Sequence, residues 1–205
     1  GGMKIALIGV TGQVGSRILA ELLQRGHEVT GIARDPSRAR PRPGLTLKAA
    51  DATEVEALAA VLAGHDAVIS ATRFVSAEVT ALVAASKRAG VKRLLVVGGA
   101  GSLEVAPGRQ LIDTPDFPEA YKPEAAAGRA FLEALRGERE LDWTYLSPSA
   151  EFVPGERTGK FRLGEDRLLV DAAGRSGIAM EDFAIALADE LETPKHSRRR
   201  FTIGY

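Results

Sequence analysis

The sequence predicts an α/β protein with a single domain, built on one open, doubly wound parallel sheet. Aliphatic runs of strand length alternate with helical stretches through the first 146 of the 205 residues. The chain is 45% hydrophobic, enough for one sizeable core, and its length is typical of one domain. Only 5% of the residues are aromatic while 22 are glycine, which favours an aliphatic α/β interior over an all-β sandwich.

Each predicted strand is short, aliphatic and followed by a turn. Residues 4–8 form a continuous aliphatic run, as expected for a parallel strand that is covered on both faces. The same pattern predicts the remaining strands at residues 27–33, 45–49, 66–71, 92–97 and 142–146.

The predicted helices have apolar residues at helical spacing and recognisable ends. Residues 13–25 place Val14, Ile18 and Leu22 on one stripe, and Gly26 stops the helix. The other predicted helices are 53–63 with Thr53 as its cap, 76–89 closed by Gly90, and 123–136 with proline at its first position. A loop rich in glycine and proline is expected at residues 98–122.

Beyond residue 147 the alternation breaks, and we expect a small appendage on the substrate side. Segments 161–163 and 168–170 predict a hairpin around Gly164, followed by a helix at 181–192 and a closing strand at 200–203. The basic run at 195–200 could contact phosphate, but a solvated strand edge that discourages aggregation is the favoured interpretation.

Composition excludes several functional classes. The 27 basic and 27 acidic side chains balance, which argues against a protein that neutralises nucleic-acid phosphates. The absence of cysteine excludes disulfides and thiolate catalysis, and three widely separated histidines predict no metal site. No apolar run approaches the roughly 18 residues of a membrane span and no signal peptide is recognisable, so we expect a cytoplasmic protein. Gly1 and Gly2 precede Met3 and are interpreted as an expression scar.

The strongest chemical signal is the segment GVTGQVG at residues 9–15, between the first predicted strand and the first predicted helix. A Cβ at such a turn would block the approach of backbone amides to a pyrophosphate, and the helix N-terminus adds free N–H groups and a positive dipole end. In this strand–turn–helix context the segment favours a Rossmann-type dinucleotide site over a tight turn without a ligand. The predicted contacts are Gly9, Thr11, Gly12, Gln13, Val14 and Gly15.

The end of the second strand bears on the choice between NADP and NAD. Arg34 lies 22 positions after Gly12, and Ser37 and Arg38 follow in the same loop. A guanidinium group matches the geometry of a 2′-phosphate, so NADP is favoured. Asp35 could instead bind the ribose 2′-hydroxyl of NAD, and a solvated basic loop without a ligand is a further alternative.

Two more strand ends point at the same crevice. Asp51 and Ala52 follow the third strand, where a carboxylate could accept a hydrogen bond from an adenine amino group. Asp51 could equally help to cap the next helix. Ala71 and Thr72 end the fourth strand, where a small residue would let a nucleotide lie along the backbone.

Several segments resemble known families. GVTGQVG at 9–15, IARDP at 32–36 and LDWT at 141–144 look like an atypical short-chain dehydrogenase/reductase. VVGGAGSL, DTPDFPEAYKPEA and PGERTGKFRLGEDRLLVD, which begin at positions 96, 113 and 154, resemble the small "putative NADH-flavin reductase" proteins. The resemblance implies a Rossmann fold, a bound NAD(P)H and a reductase activity. The chain is also similar to biliverdin/flavin reductases and to NmrA-like regulators, which share the nucleotide-binding half.

One departure from the short-chain dehydrogenase pattern affects the expected chemistry. Members typically carry a Tyr-x-x-x-Lys pair, in which the tyrosine moves the substrate proton and the lysine lowers its pKa. At that spacing Ala125 follows Tyr121 and Ser149 follows Tyr145, while the usual positions fall near residues 124 and 128. Alcohol–ketone interconversion is therefore not expected, whereas hydride transfer to a flavin, quinone or bilin needs little acid catalysis.

We expect residues 3–146 to form the nucleotide-binding core and residues 147–205 to complete an open cleft for the acceptor. Ser102, Ser147 and Tyr121 are candidate catalytic residues; alternatively, the serines cap turns and Tyr121 packs against Phe117. The glutamates at 151 and 156 could form a carboxylate pair near this cleft, although a surface turn is favoured.

The expected function is that of an NAD(P)H-dependent reductase of a small-molecule acceptor. We expect a monomer or homodimer with no nucleic-acid or membrane partner. The alternative is a catalytically silent NAD(P)-binding redox sensor of the NmrA-like type, and a sugar-nucleotide epimerase is a weaker third.

Overall fold

The chain folds into one central sheet with helices on both faces. This computed structural model describes residues 2–205, and Gly1 lies outside the described residues. The strands are β1 (Lys4–Ile8), β2 (Glu28–Ala33), β3 (Leu45–Ala49), β4 (Ala67–Ser70), β5 (Arg93–Val97), β6 (Glu104–Ala106), β7 (Arg109–Gln110), β8 (Asp142–Ser147), β9 (Glu151–Val153), β10 (Arg162–Gly164), β11 (Gly177–Ala179) and β12 (Arg199–Gly204). The helices are α1 (Gln13–Gln24), α2 (Val55–Leu62), α3 (Leu82–Ala89), α4 (Lys122–Arg136) and α5 (Met180–Glu192).

The strand order of the main sheet is β3-β2-β1-β4-β5-β8-β12-β10. All neighbours pair in parallel except the edge strand β10, which is antiparallel to β12. The direction of winding changes between β1 and β4, and in open α/β sheets ligands bind at that point, beyond the carboxyl ends of the strands. The predicted doubly wound parallel sheet of Rossmann type is therefore confirmed.

Alternate residues of β1 enter two separate apolar layers. Ile5 and Leu7 pack with α1 and α5 on one face. Ala6 and Ile8 pack with α2, α3 and α4 on the other. All four side chains are buried, as a strand between two helical layers requires. Among the described residues, no helix combines the length and apolarity that crossing a membrane requires.

Two predicted helices are shorter than their sequence patterns suggest. The predicted cap Thr53 does not cap α2, which begins at Val55, because the Thr53 backbone N–H and hydroxyl both bind Asp51. The segment 76–89 divides into a short 3₁₀ turn, Ala77–Val79, and α3. The Thr80 hydroxyl donates to the carbonyl oxygen of Ala77 at 2.7 Å, which competes with continuous helical bonding.

The predicted hairpin around Gly164 is wrong. β10 pairs with β12, with Leu163 opposite Ile203, whereas residues 168–170 form no strand. The Leu168 backbone N–H instead donates to the carbonyl oxygen of Glu104. β8 pairs with only one edge of β12. Pairing with the other edge satisfies the backbone hydrogen-bonding groups of β10.

The basic run at 195–200 is exposed for most of its length, but Arg200 at its end is buried. β12 lies inside the sheet between β8 and β10, so Arg200 projects into the protein and only 3% of its side chain is exposed. Its Nε atom pairs with Asp166 at 2.9 Å. The favoured interpretation of this run was therefore wrong for Arg200, although Arg199 is exposed.

A buried ionic cluster joins α5 to the first residue of β5, at the end of the strands that is opposite the glycine turn. The Glu190 carboxylate, 3% exposed, accepts hydrogen bonds from Arg93 Nη2 at 3.0 Å and from the backbone N–H groups of Lys195 and His196. It also pairs with His196 Nδ1 at 2.8 Å. The chain after α5 is thereby fixed where it turns back toward β12.

Replacing Glu190 by alanine should lower the free energy of unfolding by about 3–5 kcal/mol, because it leaves the Arg93 guanidinium buried without this partner. Urea denaturation measures the loss. Glu165→Ala removes an exposed carboxylate from a surface pair with Arg199 and should change stability by less than ~0.5 kcal/mol. Equal losses in the two variants would contradict the role assigned to the buried cluster.

Candidate functional site

The turn after β1 is built by close backbone contacts that only glycine permits. Gly9 has φ +86°, and a Cβ there would lie 2.8 Å from the carbonyl oxygen of Ala71. A Cβ on Gly15 would lie 1.9 Å from the carbonyl oxygen of Gly9. The first glycine therefore makes the tight turn and the third lets α1 pack against the strand end.

Gly12 differs from Gly9 and Gly15 because the space beside it is open. The nearest atom to a Cβ at Gly12 would be 3.6 Å away, and Gly12, Thr11 and Gln13 are exposed. Among the described residues, no side chain caps the N-terminus of α1. Val14 packs partly into the core and Gly15 has no side chain, so both residues can contact a ligand only through backbone groups. This open cradle of backbone N–H groups fits a pyrophosphate.

The loop after β2 presents exposed arginines. The Arg34 side chain is 69% exposed and its Nη2 atom lies 3.7 Å from Asp51 Oδ1. Asp35 is occupied within its own turn, since its Oδ1 atom accepts the Ser37 backbone N–H and hydroxyl. The hydrogen bond from the Ser37 hydroxyl holds the pKa of Asp35 below its usual range. Arg38 is also exposed.

The carboxyl ends of β3 and β4 lie on the same side of the sheet as the glycine turn. The Asp51 carboxylate accepts the Thr53 hydroxyl at 2.6 Å and backbone N–H at 2.9 Å, and the hydroxyl contact holds its pKa below the usual range. Ala52 is buried behind it. Ala71 and Thr72 are half-buried, and Ala71 touches the glycine turn at Gly9.

A cavity of about 710 Å³ opens beyond β5 and β8. Its walls come from residues 98–101 after β5, from the segment ahead of α4, and from residues 148–152 after β8. Arg73, two residues beyond Ala71, also lines it. The loop after β4 thus contributes Arg73 to the cavity and Ala71 to the contact with Gly9.

Ser102 and Ser147 do not face this cavity. Ser147 is completely buried and Ser102 nearly so, and both hydroxyls accept hydrogen bonds from Arg200 Nη1, at 3.2 and 3.0 Å. Arg200 Nη2 also donates to the carbonyl oxygen of Ser102. The two serines therefore help to fix the strand-end loops, and their burial removes them from contact with an acceptor.

Tyr121 is the candidate catalytic residue that lines the cavity. Its side chain is 65% exposed at the start of α4, and Phe117 lines the same wall. The structure thus leaves its hydroxyl accessible to a bound molecule.

The positions where the Tyr-x-x-x-Lys pair would fall carry different contacts. The Glu124 carboxylate accepts the backbone N–H groups of Phe74 and Val75 at 2.9 and 3.0 Å. At Gly128 the backbone carbonyl accepts the Tyr145 hydroxyl at 3.0 Å. Glu124 therefore holds the loop after β4 against α4, close to the cavity that both border.

Sequence reasoning missed the role of Tyr145. Its hydroxyl also accepts the Gly99 backbone N–H at 3.0 Å, so it connects α4 to the loop after β5. A Cβ on Gly98 would lie 2.3 Å from the tyrosine ring, and Gly98 therefore leaves the room that the ring occupies. Alternation within DWTYL predicts a strand but does not reveal this contact.

The C-terminal segment reaches the first turns of α1. The Glu181 carboxylate pairs with Arg17 Nε at 3.0 Å and accepts the Gly155 backbone N–H at 2.9 Å. Arg157 Nε pairs with the buried Glu21 at 2.9 Å. Residues after 147 are thereby bound to the helix that begins at the glycine turn.

Comparison with known proteins identifies the family. The family model described as NAD(P)H-binding matches residues 9–194, which span the glycine turn, the cavity and α5. The chain belongs to this NAD(P)H-binding family.

Three solved structures are similar to this NAD(P)H-binding protein over nearly its whole length. A "putative exported protein" of Burkholderia pseudomallei is 48% identical with a TM-score of 0.92, covering 99% of this chain and 100% of that one. A "putative epimerase" of Bacteroides thetaiotaomicron is 44% identical with a TM-score of 0.95, covering 100% and 98%. A "putative NADH-flavin reductase" of Streptococcus pneumoniae is 37% identical with a TM-score of 0.86, covering 99% of each chain.

Tyr145 should stay protonated well above pH 10, because burial raises its pKa to about 12. An unfolded tyrosine ionises near pH ~10, so the folded chain holds this proton more tightly. The resulting stability is present below about pH 10 and is lost as the pH rises toward about 12.

Ultraviolet titration of tyrosinate checks this expectation. Tyr145→Phe should remove only the ionisation step at the highest pH, whereas Tyr121→Phe, which changes an exposed ring, should leave that step in place. Loss of an earlier step in Tyr145→Phe would contradict the assignment.

Proposed function

We propose that this chain is an NAD(P)H-dependent reductase that passes hydride to a flavin-like or quinone-like conjugated acceptor. The observation that carries the proposal is the loop after β4, which contacts Gly9 through Ala71 and, two residues further on, lines the 710 Å³ cavity through Arg73. A cofactor held at the glycine turn and an acceptor in the cavity would therefore be neighbours at the switch point of the sheet.

The cofactor in this proposal is NADPH. Backbone groups of residues 9–15 bind the pyrophosphate, and the exposed Arg34 and Arg38 bind the 2′-phosphate with Ser37 in the same turn. Asp51 and Ala52 border the adenine, and Ala71 and Thr72 border the nucleotide along β4. The exposed guanidinium groups of Arg34 and Arg38 in this loop support the preference for NADP over NAD.

The chain's own contribution to the reaction is orientation. When bound, a reduced nicotinamide supplies a hydride with its electron pair, and with one proton from water this gives the two-electron-reduced acceptor and the oxidised nicotinamide. The small residues 98–101 let a flat ring approach the strand ends, and Phe117 and Tyr121 offer aromatic surface on the opposite wall. In this proposal the exposed Tyr121 hydroxyl donates a hydrogen bond to a carbonyl of the acceptor ring.

The domain organisation follows the same division. Residues 3–146 hold the cofactor, and residues 147–205 complete the cleft through 148–152 and through the contacts of Glu181 and Arg157 with α1. Similarity to a protein named as an NADH-flavin reductase supports a reductase, and a structure named as an epimerase is similar as well. We favour the reductase because an epimerase usually uses the Tyr-x-x-x-Lys pair, which this sequence lacks.

A silent NAD(P)-binding sensor is the competing function. Glu124 is engaged with backbone N–H groups and residue 128 is glycine, so neither position offers the proton-transfer groups of short-chain dehydrogenases. A hydride acceptor that takes its proton from water does not need such groups, which is why we favour the reductase.

Arg34→Ala should raise the Kd for NADPH about tenfold and leave the Kd for NADH unchanged, because only NADPH carries the phosphate that this guanidinium would bind. Isothermal titration of both nucleotides measures the effect. Arg40→Ala, in the same loop, is the control and should change neither Kd. If NADPH binds no more tightly than NADH in the parent chain and Arg34→Ala alters neither affinity, the assignment of the 2′-phosphate is wrong.

The reductase function predicts oxidation of NADPH in the presence of free flavins or quinones, followed as loss of nicotinamide absorbance. Gly12→Val should abolish the turnover, since its side chain fills the open space in which the pyrophosphate would lie. Tight NADPH binding without oxidation across a panel of flavins, quinones and bilins would favour the sensor.

A further inference from the structure

We propose that the acceptor cavity selects uncharged acceptors, and in particular flavins and quinones that carry no phosphate, sulfonate or carboxylate group. This inference rests on the proposed function and narrows its substrate class. Its basis is the distribution of charge along the cavity wall.

The ionisable lining of the cavity is mostly acidic. Asp116, Glu124 and Glu151 line it together with one cation, Arg73, which leaves two negative charges in excess at neutral pH. The remaining walls are small, aliphatic or aromatic, so a neutral conjugated ring can be buried there without losing a polar partner.

The one cation in the lining is already engaged. Arg73 Nε lies 3.9 Å from Glu124 Oε1, and the Arg73 side chain is 75% exposed, so its charge is both partnered and screened by solvent. The two carboxylates of Asp116 and Glu151 have no ion pair or side-chain hydrogen bond to any residue of the described range. Both side chains are exposed, so their charge acts on a ligand through solvent and weakens with added salt.

Two further cations near the cavity are also paired. Lys122 pairs with Glu119 at 2.6 Å and Arg129 lies 3.6 Å from Asp113. Arg175 precedes the lining residue Ser176 and is exposed, but it does not itself line the cavity. An acceptor with an anionic substituent would thus meet excess negative charge within the lining, where the one guanidinium, that of Arg73, faces Glu124.

A phosphorylated cofactor in the glycine turn strengthens the same preference. Its phosphates would add negative charge beside the cavity, so repulsion of an anionic acceptor is larger in the loaded protein than in the free one. This repulsion does not act on a neutral acceptor.

Riboflavin and FMN provide a matched pair, because they share one ring system and differ by a phosphate. With saturating NADPH we expect kcat/KM to favour riboflavin by roughly 3- to 10-fold at low salt, as expected for charges about 8–10 Å apart in screened solvent. Added salt should reduce the ratio toward one, which a purely steric preference would not do. A naphthoquinone and its sulfonated derivative extend the same comparison to quinones.

The variant Asp116→Asn/Glu151→Gln tests the origin of the preference. It should lower the riboflavin to FMN ratio toward one at low salt. Glu28→Gln is the matched control, since this exposed carboxylate lies at the start of β2, at the opposite edge of the sheet, and should leave the ratio unchanged.

The outcomes separate this inference from the function on which it rests. Equal or greater efficiency with FMN, or a ratio insensitive to salt and to both cavity substitutions, overturns the inference while leaving the reductase intact. If no acceptor is reduced, the reductase fails, and fluorescence titration of both flavins with the NADP⁺-loaded protein decides the inference. Tighter binding of riboflavin then supports it; tighter or equal binding of FMN, or no binding of either, overturns it.

Discussion

The approach of α1 to the end of β1 sets the geometry on which the rest of the site depends. Gly15 lies so close to the Gly9 carbonyl that any Cβ would collide with it, and Gly9 in turn packs on the backbone of Ala71. The loops after β1 and β4 therefore form one continuous surface, and the free N–H groups of α1 point across it. The nucleotide cradle is a consequence of backbone contact, and side chains enter only at its borders.

The acceptor side is held by buried polar side chains instead. Arg200 ties β12 to Ser102 and Ser147, the first after β5 and the second at the end of β8. Tyr145 ties Gly99 to α4, and Glu124 ties the loop after β4 to the same helix. Three loops that border one cavity are thus each fixed by a hydrogen-bonded anchor, and Tyr121 remains exposed in the cavity lining.

Local signals explain which predictions succeeded. The bounds of β1 and β3 and the start of α1 follow from aliphatic runs and from the glycine turn, all of which act within a few residues. The hairpin around Gly164 failed because β10 and β12 meet across about 40 residues, and backbone pairing at that distance leaves no local pattern. Ser147 was predicted to face the cleft because it ends a strand. In the structure its side chain lies on the buried side of the strand, where its hydroxyl accepts a hydrogen bond from Arg200.

The sequence by itself determined the fold class, the position of the glycine turn and the departure from the Tyr-x-x-x-Lys pattern. Each depends on residue type and spacing within one strand–turn–helix unit, where sterics and periodicity act directly. Only the tertiary structure decided that Arg200 is buried, that Ser102 and Ser147 support loops, and that Asp116 and Glu151 share one cavity wall. Those facts depend on which strands become neighbours, and that is set by the packing of the whole sheet between its two helical layers.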